Sequence, residues 1–240
     1  MRIQKAEYTH VGGRNRNEDA FRCEILQGNK AYAVVCDGVG GNGDGSKAAQ
    51  IAVKHLSDVR YVDLLPTGEQ ILGWMRDANR EMEVLRGHVL RMKTTAVFLA
   101  IQESSAIWAH IGDSRLYHFH NGTLVDYTND HSVPQIQVIM GEITRDQIPD
   151  SPDRSRVFRV LGNEELNPEI SEVKQLQPGM HAFLMCTDGF WEYLKDLEIE
   201  LDLRKSRTPE QWLMYLRTRG EERKKAIPDN NTAVALFIEI

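Results

Sequence analysis

Four aspartates stand at the ends of apolar, strand-like segments, where carboxylates are able to hold divalent cations. Asp37 and Asp188 each follow an apolar run and precede a glycine, in VVCDG and MCTDG. Asp113 follows SAIWAHIG, and Asp229 precedes TAVALFIEI. If the last strand is antiparallel to its neighbours, its beginning lies at the same sheet edge as their ends. We therefore expect the four carboxylates to converge at one edge.

Converging carboxylates repel one another unless protons or metal ions neutralise them. Sites built only from oxygen ligands suit hard cations, Mg²⁺ or Mn²⁺. Gly38 would let the main chain approach an ion and offer its carbonyl oxygen. Two ions that share a carboxylate lower the pKa of a water held between them. The pattern therefore predicts a dinuclear metal site for hydrolysis.

The segment GGRNRNED, upstream of the first aspartate, suggests what is hydrolysed. It adds the carboxylates of Glu18 and Asp19, and it places Arg14 a few residues before them. A planar guanidinium matches the geometry of a phosphate group. We therefore expect phosphoester hydrolysis.

Single motifs in this chain have simpler interpretations. One Asp-Gly pair is more often a turn than a metal ligand. The glycine-rich patch GVGGNGDG lacks the Lys-Ser/Thr ending of a P-loop and is best interpreted as a flexible turn. His118 and His120 share one strand face and could bind zinc, but no third ligand is evident, so a solvated strand face is the better prediction. Only the combination of acidic motifs indicates a metal site.

Composition excludes several classes of protein. The net charge of -6 argues against nucleic acid as a partner. The longest apolar runs fall short of the roughly 20 residues that span a bilayer, and MRIQKAEYTH has no signal-peptide core. We therefore expect a cytoplasmic protein with no membrane partner. Cys23, Cys36 and Cys186 are predicted to be buried free thiols.

The apolar runs predict antiparallel strands that position these carboxylates. Strands are predicted over residues 31–36, 94–102, 105–112, 115–120, 181–187 and 232–240. Asn121-Gly122 predicts a tight hairpin to TLVDYT. Neighbouring strands joined by short turns, with helices between groups of them, favour an α+β layered fold. We expect one domain over residues 1–240.

Three helices are predicted outside the sheets. Apolar positions over residues 69–89 recur at steps of three and four, which is typical of an amphipathic helix. Ser46 is the predicted N-cap of a helix after the glycine patch. TPEQ predicts a third helix, with Thr208 as N-cap, Pro209 at the first position and Gln211 completing a capping box.

The motifs together resemble one known family. VGGRNRNEDAF, VVCDGVGG, TTAVFLA, AHIGDSRLYHF, NDHSV, LMCTDGFWEYL and DNNTAVALF occur in the order found in the metal-dependent protein phosphatase 2C family, in its compact bacterial form. The resemblance spans about residues 8–239. It implies a four-layer α-β-β-α sandwich, with two antiparallel β-sheets flanked by helices. It also implies Mg²⁺ or Mn²⁺ at one edge, as two ions with a third, weaker site.

The resemblance also implies roles for individual residues. Asp37 is similar to the carboxylate that bridges both ions, with Gly38 as a carbonyl ligand. Asp188 and Asp229 match the remaining direct ligands, and Glu18 and Asp19 match residues that bind through metal-bound waters or support the site. Arg14 matches the phosphate-binding arginine, Asn230 a supporting neighbour of the last aspartate, and Asp113 a ligand of the third ion, shared with Asp188.

Three positions depart from the family pattern. Val39 stands where many eukaryotic members have a histidine proposed as general acid, so the source of the leaving-group proton is open, with a coordinated water as the first candidate. Glu192 stands where aspartate is common, which predicts an altered third metal site. Lys93 replaces the glycine usual before TT, a change that we interpret as having little consequence for the chemistry.

The polar stretch after NDHSV corresponds to a mobile flap in the family, over about residues 142–170. Its arginines, Arg154, Arg156 and Arg159, would either steer a phosphorylated segment or form ordinary surface charge.

The resemblance implies a bacterial signalling hydrolase that removes phosphate from phosphoserine and phosphothreonine in proteins. We expect a monomer whose substrates are phosphorylated by a cognate bacterial Ser/Thr kinase. One alternative is a catalytically silent pseudo-phosphatase that binds phosphoproteins without turning them over. Another is hydrolysis of a small phosphoester, which a deep closed pocket would favour.

Overall fold

Two antiparallel sheets packed face to face form the centre of the protein. The computed structural model describes residues 1–39, 44–86, 92–224 and 226–240. The strands are β1 (Arg2–His10), β2 (Asp19–Leu26), β3 (Lys30–Val39), β4 (Lys93–Thr94), β5 (Ala96–Gln102), β6 (Ser105–Ile111), β7 (Arg115–His120), β8 (Thr123–Tyr127), β9 (Glu169–Ile170), β10 (Lys174–Gln175), β11 (Met180–Cys186) and β12 (Asn231–Glu239). The helices are α1 (Asp44–Leu56), α2 (Gly68–Arg86), α3 (Val133–Ile139), α4 (Asp188–Trp191), α5 (Asp196–Lys205) and α6 (Pro209–Glu221).

The order of strands brings distant parts of the chain together. The first sheet has the order β1-β12-β11-β7-β8, and the second has the order β10-β6-β5-β3-β2, with β4 paired to β3 and β9 paired to β6. Strand β12 is antiparallel to both β1 and β11, as predicted for the last strand. The beginning of β12 therefore lies beside the end of β11.

Three apolar layers hold the sheets and helices together. Side chains from both sheets fill the space between them, including Val35, Leu99, Trp108, Phe183 and Leu236. A second layer joins α1 and α2 to one sheet, and a third joins α4, α5 and α6 to the other. Because both faces of the central strands are buried, these strands are continuously apolar rather than alternating. The predicted four-layer α-β-β-α sandwich is confirmed.

The six predicted strands are present, with two informative differences. Strand β3 continues to Val39, so Asp37 and Gly38 lie inside a strand and not beyond its end. The reason is that β4 pairs with its last two residues. Strands β1 and β2 were not predicted, because their side chains are mostly half-buried or exposed and their sequence is correspondingly mixed.

The helix boundaries test the capping predictions. Ser46 as an N-cap is wrong, because α1 already begins at Asp44 and Ser46 lies in its first turn. Thr208 is the N-cap of α6, and its side chain accepts a hydrogen bond from the Gln211 backbone N–H (3.3 Å). The Gln211 side chain accepts from the N–H of Arg207 (2.8 Å) and not of Thr208, which alters the predicted capping box.

Other local predictions are confirmed or lie outside the described residues. Helix α2 is described as far as Arg86, so the predicted end at residue 89 lies outside the described residues. Asn121 and Gly122 have φ values of 49° and 78°, which are the positive angles of a tight hairpin. The three cysteines are buried free thiols. Across the described residues, each helix is too short or too polar to span a bilayer.

His118 does not lie on a solvated strand face, so that prediction is wrong. Its side chain is buried, with the residue 7% exposed, and its ring stacks on Phe183 at 4.3 Å between centroids. Its Nε2 lies 2.9 Å from Nδ1 of His181, whose own Nε2 donates to the carbonyl of Gln177. His118 therefore donates to His181, and burial lowers the pKa of His118 to about 3.

The buried neutral His118 should make stability depend on pH. A lowered folded-state pKa means that the unfolded chain takes up a proton below about pH 6.5 while the folded chain does not. The His118 contribution should cost about 1 kcal/mol of unfolding free energy between pH 7 and pH 5.5. Urea unfolding of wild type and His118→Gln at both pH values measures it, and the variant should lose less stability on acidification. Equal losses would contradict the assignment.

Candidate metal centre

The predicted convergence of acidic side chains is present as an open cleft at one edge of the sandwich. The cleft has a volume of about 750 Å³. Its lining includes most of the predicted site residues, namely Arg14, Glu18, Asp37, Gly38, Asp113, Asp188, Asp229 and Asn230. Asp19 and Glu192 are the two predicted residues that do not line it.

Asp37 is held in place by hydrogen bonds from its main chain. Its N–H donates to Oγ1 of Thr95 (3.0 Å), and its carbonyl accepts from Oγ1 of Thr94 (2.8 Å). The β2–β3 register places Asp19 directly opposite. Since the main chain is fixed on both sides, the Asp37 carboxylate is presented to the cleft.

Gly38 has a packing role as well as the predicted one. A methyl group at this position would lie 2.2 Å from the carbonyl carbon of Gly45, in the first turn of α1. Real contacts of this kind are much longer, so a larger residue would push α1 away from β3. The Asp-Gly sequence therefore allows the close approach of a helix.

The loops that carry Asp188 and Asp229 touch each other. A methyl group on Gly189 would lie 2.1 Å from the carbonyl oxygen of Asn230. Behind them, Oγ1 of Thr187 donates to Oδ2 of Asp19 (3.0 Å). These contacts hold Asp188, the first residue of α4, and the residues before β12 close to β2.

Asn230 connects residues 11–18, the arginine-bearing loop, to the start of β12 by hydrogen bonds. Its Nδ2 donates to the carbonyls of Val11 (2.7 Å) and Arg16 (3.0 Å), and its Oδ1 accepts from the N–H of Glu18 (2.8 Å). Within that loop, Arg14 Nη2 lies 2.7 Å from Asp229 Oδ2. Side-chain bonding of Asn230 therefore places Arg14 beside the cleft.

Arg154 contributes a cation that sequence reasoning did not place at the site. Its Nη2 lies 3.0 Å from Asp188 Oδ2 and 3.0 Å from Glu192 Oε2, and its side chain is only 17% exposed. Arg156, in contrast, pairs with Asp153 at the surface. Arg154 is therefore not a free steering charge but part of the acidic cluster.

Burial and repulsion together perturb the carboxyl groups. Burial is the largest cause that raises the pKa of Asp19, to about 7, and nearby Asp188 adds to it. The pKa values of Asp37 and Asp113 are raised well above the ordinary range, first by burial and then by neighbouring carboxylates. These groups lack enough positive charge around them.

Two carboxylate oxygens have no partner in the described part of the chain. Oδ1 of Asp19 and Oδ1 of Asp188 are both buried without a hydrogen bond. A buried oxygen of this kind is costly unless a cation or a proton satisfies it. An all-oxygen donor set with unsatisfied atoms fits a hard divalent cation.

A buried ion pair supports the site from behind. Arg115 makes a bidentate contact with Asp130 (2.8 and 2.7 Å), and both side chains are at most 3% exposed. The guanidinium lies 3.4 Å from the ring centroid of Trp191, whose Nε1 donates to the Asp113 carbonyl (2.9 Å). Sequence reasoning missed this support, although the charged residues within the GDSR and NDHSV motifs were a signal for it.

A second group of possible metal-binding atoms lies nearby, formed by His110, His131 and Glu169. His131 Nδ1 accepts a hydrogen bond from the N–H of Gly112 (3.1 Å). The proton of the neutral ring therefore resides on Nε2, 3.7 Å from Glu169. A protonated Nε2 offers no lone pair, so this group is a poorer cation site than the cleft.

Known proteins of one family are similar to this chain over most of its length. The family described as Protein phosphatase 2C matches residues 7–227. The protein named serine/threonine phosphatase stp of Listeria monocytogenes is 30% identical over 203 residues, which cover 81% of this chain and 80% of that protein.

Solved structures extend the likeness to the fold. The serine/threonine phosphatase PstP/Ppp of Mycobacterium tuberculosis has a TM-score of 0.82 at 26% identity, with 99% of both chains covered. PppA, described as a key regulatory component of T6SS in Pseudomonas aeruginosa, has a TM-score of 0.80 at 29% identity. That comparison covers 98% of this chain and 96% of PppA.

The Arg154 contacts should stabilise the cation-free protein. Replacing Arg154 with Gln removes the cation that pairs with the carboxylates of Asp188 and Glu192, and should lower the unfolding free energy by about 2 kcal/mol. Arg156→Gln is the matched control, because its exposed pair with Asp153 should contribute less than about 1 kcal/mol. Chemical denaturation in the presence of a chelator measures both. Equal effects of the two substitutions would show that Arg154 is not a specific counter-charge.

Proposed function

This chain belongs to the protein phosphatase 2C family, and we propose that its acidic cleft holds divalent cations for the hydrolysis of phosphoserine and phosphothreonine. The chain is a serine/threonine protein phosphatase, the activity named for relatives that match it over most of their length. Its substrates are phosphoproteins. The identity and number of the ions, and the residue roles below, are proposals.

The observation that carries the proposal is the excess of buried carboxylate in the cleft. Three carboxyl groups have raised pKa values, and two buried oxygens lack partners in the described residues. Mg²⁺ or Mn²⁺ would satisfy these oxygens and remove the repulsion. When bound, such ions supply a water of lowered pKa as the nucleophile.

The positions of the carboxylates favour the following division of roles. We assign Asp37 as the shared ligand of two ions, with the carbonyl of Gly38 beside it, because they lie on the central strand of the cleft. Asp188 and Asp229 would then hold one ion each. Glu18 and Asp19 support the ions through waters, which agrees with the position of Asp19 behind the cleft lining.

A third ion is expected to bind weakly at Asp113 and Asp188. Arg154 already donates to Asp188 and Glu192. Burial and the neighbouring carboxylates still raise the pKa of the Asp113 carboxyl, and the charge of Arg154 offsets only part of this rise. The Arg154 guanidinium would have to move away before a divalent ion could bind between Asp113 and Asp188. Glu192, which is longer than the aspartate usual in the family, reaches this arginine and supports the pair.

Arg14 is suited to orient the phosphate. Its side chain is 56% exposed at the cleft. Among the described residues, its guanidinium contacts only Asp229, and it does so through Nη2. The other guanidinium N–H groups are therefore available to phosphate oxygens. Val39 also lines the cleft but carries no ionisable group, and a coordinated water is the first candidate for the donor of the proton that the leaving alcohol needs.

The exposure of the site favours a protein substrate. A small phosphoester would be held best by a closed pocket, whereas Arg14 and Asp229 are substantially exposed. We propose that residues 1–240 form one catalytic domain with residues 142–170 as its flap. The cognate kinase, the monomeric state and the cytoplasmic location remain predictions.

Removal of one central carboxylate should abolish turnover. With Mn²⁺ or Mg²⁺, the wild-type protein should hydrolyse a phosphothreonine peptide, and chelation should stop it. Asp37→Asn should lower kcat/KM by at least about a hundredfold, because a shared ligand is lost. Asp77→Asn, on the exposed face of α2, is the matched control. Full activity of Asp37→Asn would contradict the proposed function, and cation-dependent binding without turnover would favour the pseudo-phosphatase.

Cation binding should release protons near neutral pH. Because the folded-state pKa of Asp19 is raised to about 7, and those of Asp37 and Asp113 are also raised, the cation-free cleft retains protons at pH 6.5. Mn²⁺ must displace them, so its affinity should fall as pH decreases from 8 to 6. Calorimetric titration in two buffers of different ionisation enthalpy counts the protons. Buffer-independent heats would show that the carboxylates are already ionised.

A further inference from the structure

Lys93 is a cation of the cleft that the catalytic arrangement does not use. It lines the cleft, together with Arg14 and Arg16 as the other cationic residues of that lining. Within the described residues its ammonium makes neither a hydrogen bond nor an ion pair. The family resemblance has glycine here, and the sequence alone gave the lysine no role. Its position in the structure therefore calls for a different interpretation.

Strand order places Lys93 on the opposite side of the metal-binding strand from the two arginines. On one side of β3, the N–H of Gly38 donates to the carbonyl of Glu18 (3.2 Å), at the end of the arginine-bearing loop. On the other side, the register pairs Val39 with Lys93. Neighbouring strands are about 4.8 Å apart, so the main chains flanking β3 are roughly 10 Å apart. Asp37 and Gly38 lie between them.

The wall beside Lys93 is otherwise uncharged. Thr94 and Leu161 exchange two backbone hydrogen bonds (3.1 and 2.9 Å), which joins β4 to the flap segment. The flap residues that line the cleft are Ser155, Val157, Val160 and Asn163. Lys93 is therefore the cation of this wall among the residues described as lining the cleft.

We propose that Lys93 selects substrates that carry an aspartate or glutamate within two positions of the phosphorylated residue. The inference rests on the proposed function and names the substrate class of that site. If the phosphoryl group lies over Asp37 and is oriented by Arg14, the peptide next to it would cross β4. An extended peptide advances about 3.3 Å per residue, so two residues cover a distance that a lysine side chain reaches.

A flanking carboxylate would give Lys93 a counter-charge, which no described residue supplies. Ion pairs at exposed positions contribute modestly, and the corresponding preference is about two- to fivefold in kcat/KM. Because the pair is open to solvent, the preference should shrink as salt is raised from 0.05 to 0.5 M. A purely structural role for Lys93 would not produce this dependence on the peptide or on salt.

The test compares matched peptides and matched variants. Phosphothreonine peptides carry Asp or Asn two positions before or two positions after the phosphorylated residue. Wild type should favour an Asp peptide over its Asn counterpart at one of these positions. Lys93→Met should bring that ratio close to one, and Lys93→Arg should retain it. Lys47→Ala removes an exposed lysine of α1 that does not line the cleft, and it should keep the wild-type ratio.

Two outcomes would overturn the inference while leaving the proposed function intact. One is hydrolysis of all the peptides by the wild type with no preference for Asp, and the other is full retention of the preference by Lys93→Met. If wild type with Mn²⁺ hydrolyses none of the peptides, the proposed function itself fails, and the inference fails with it.

Discussion

Repulsion among buried carboxylates at one edge of the sandwich is the constraint on which the rest of the structure depends. Asp19, Asp37 and Asp113 all have raised pKa values, because each is buried beside other acids. Carboxylates that repel one another would move apart unless the main chains that carry them were held in place. The strand register, with Asp19 opposite Asp37, and the Asn230 bridges across the loops provide that restraint.

Several cationic side chains surround this edge. Arg14 pairs with Asp229 at the exposed mouth of the cleft, and Arg154 pairs with Asp188 from the proposed flap. Arg115 is buried against Asp130 and Trp191, and so it stiffens the wall without touching the cleft carboxylates. Lys93 remains unpaired within the described residues and faces the space where a substrate would lie. Bound divalent cations would add positive charge at the centre of the cleft, and this charge would suit the arrangement to phosphate.

The sequence predicted what depends on local pattern. Apolar runs predicted the central strands, and the Asp-Gly pairs predicted the convergence of Asp37 and Asp188. It did not predict β1, whose half-exposed side chains give it a mixed pattern. Arg154 could not be placed at the cluster, because its contact with Asp188 joins residues that are separated along the chain. Local propensity at Ser46 was overridden by the packing of Gly45 on Gly38.

The location of bound manganese tests the central claim most directly. Anomalous diffraction from crystals of the wild-type protein soaked in Mn²⁺ would locate the ions without reference to activity. Strong peaks are expected within the cleft, between Asp37, Asp188 and Asp229. A cleft without a peak, or manganese bound only at His110, His131 and Glu169, would contradict it.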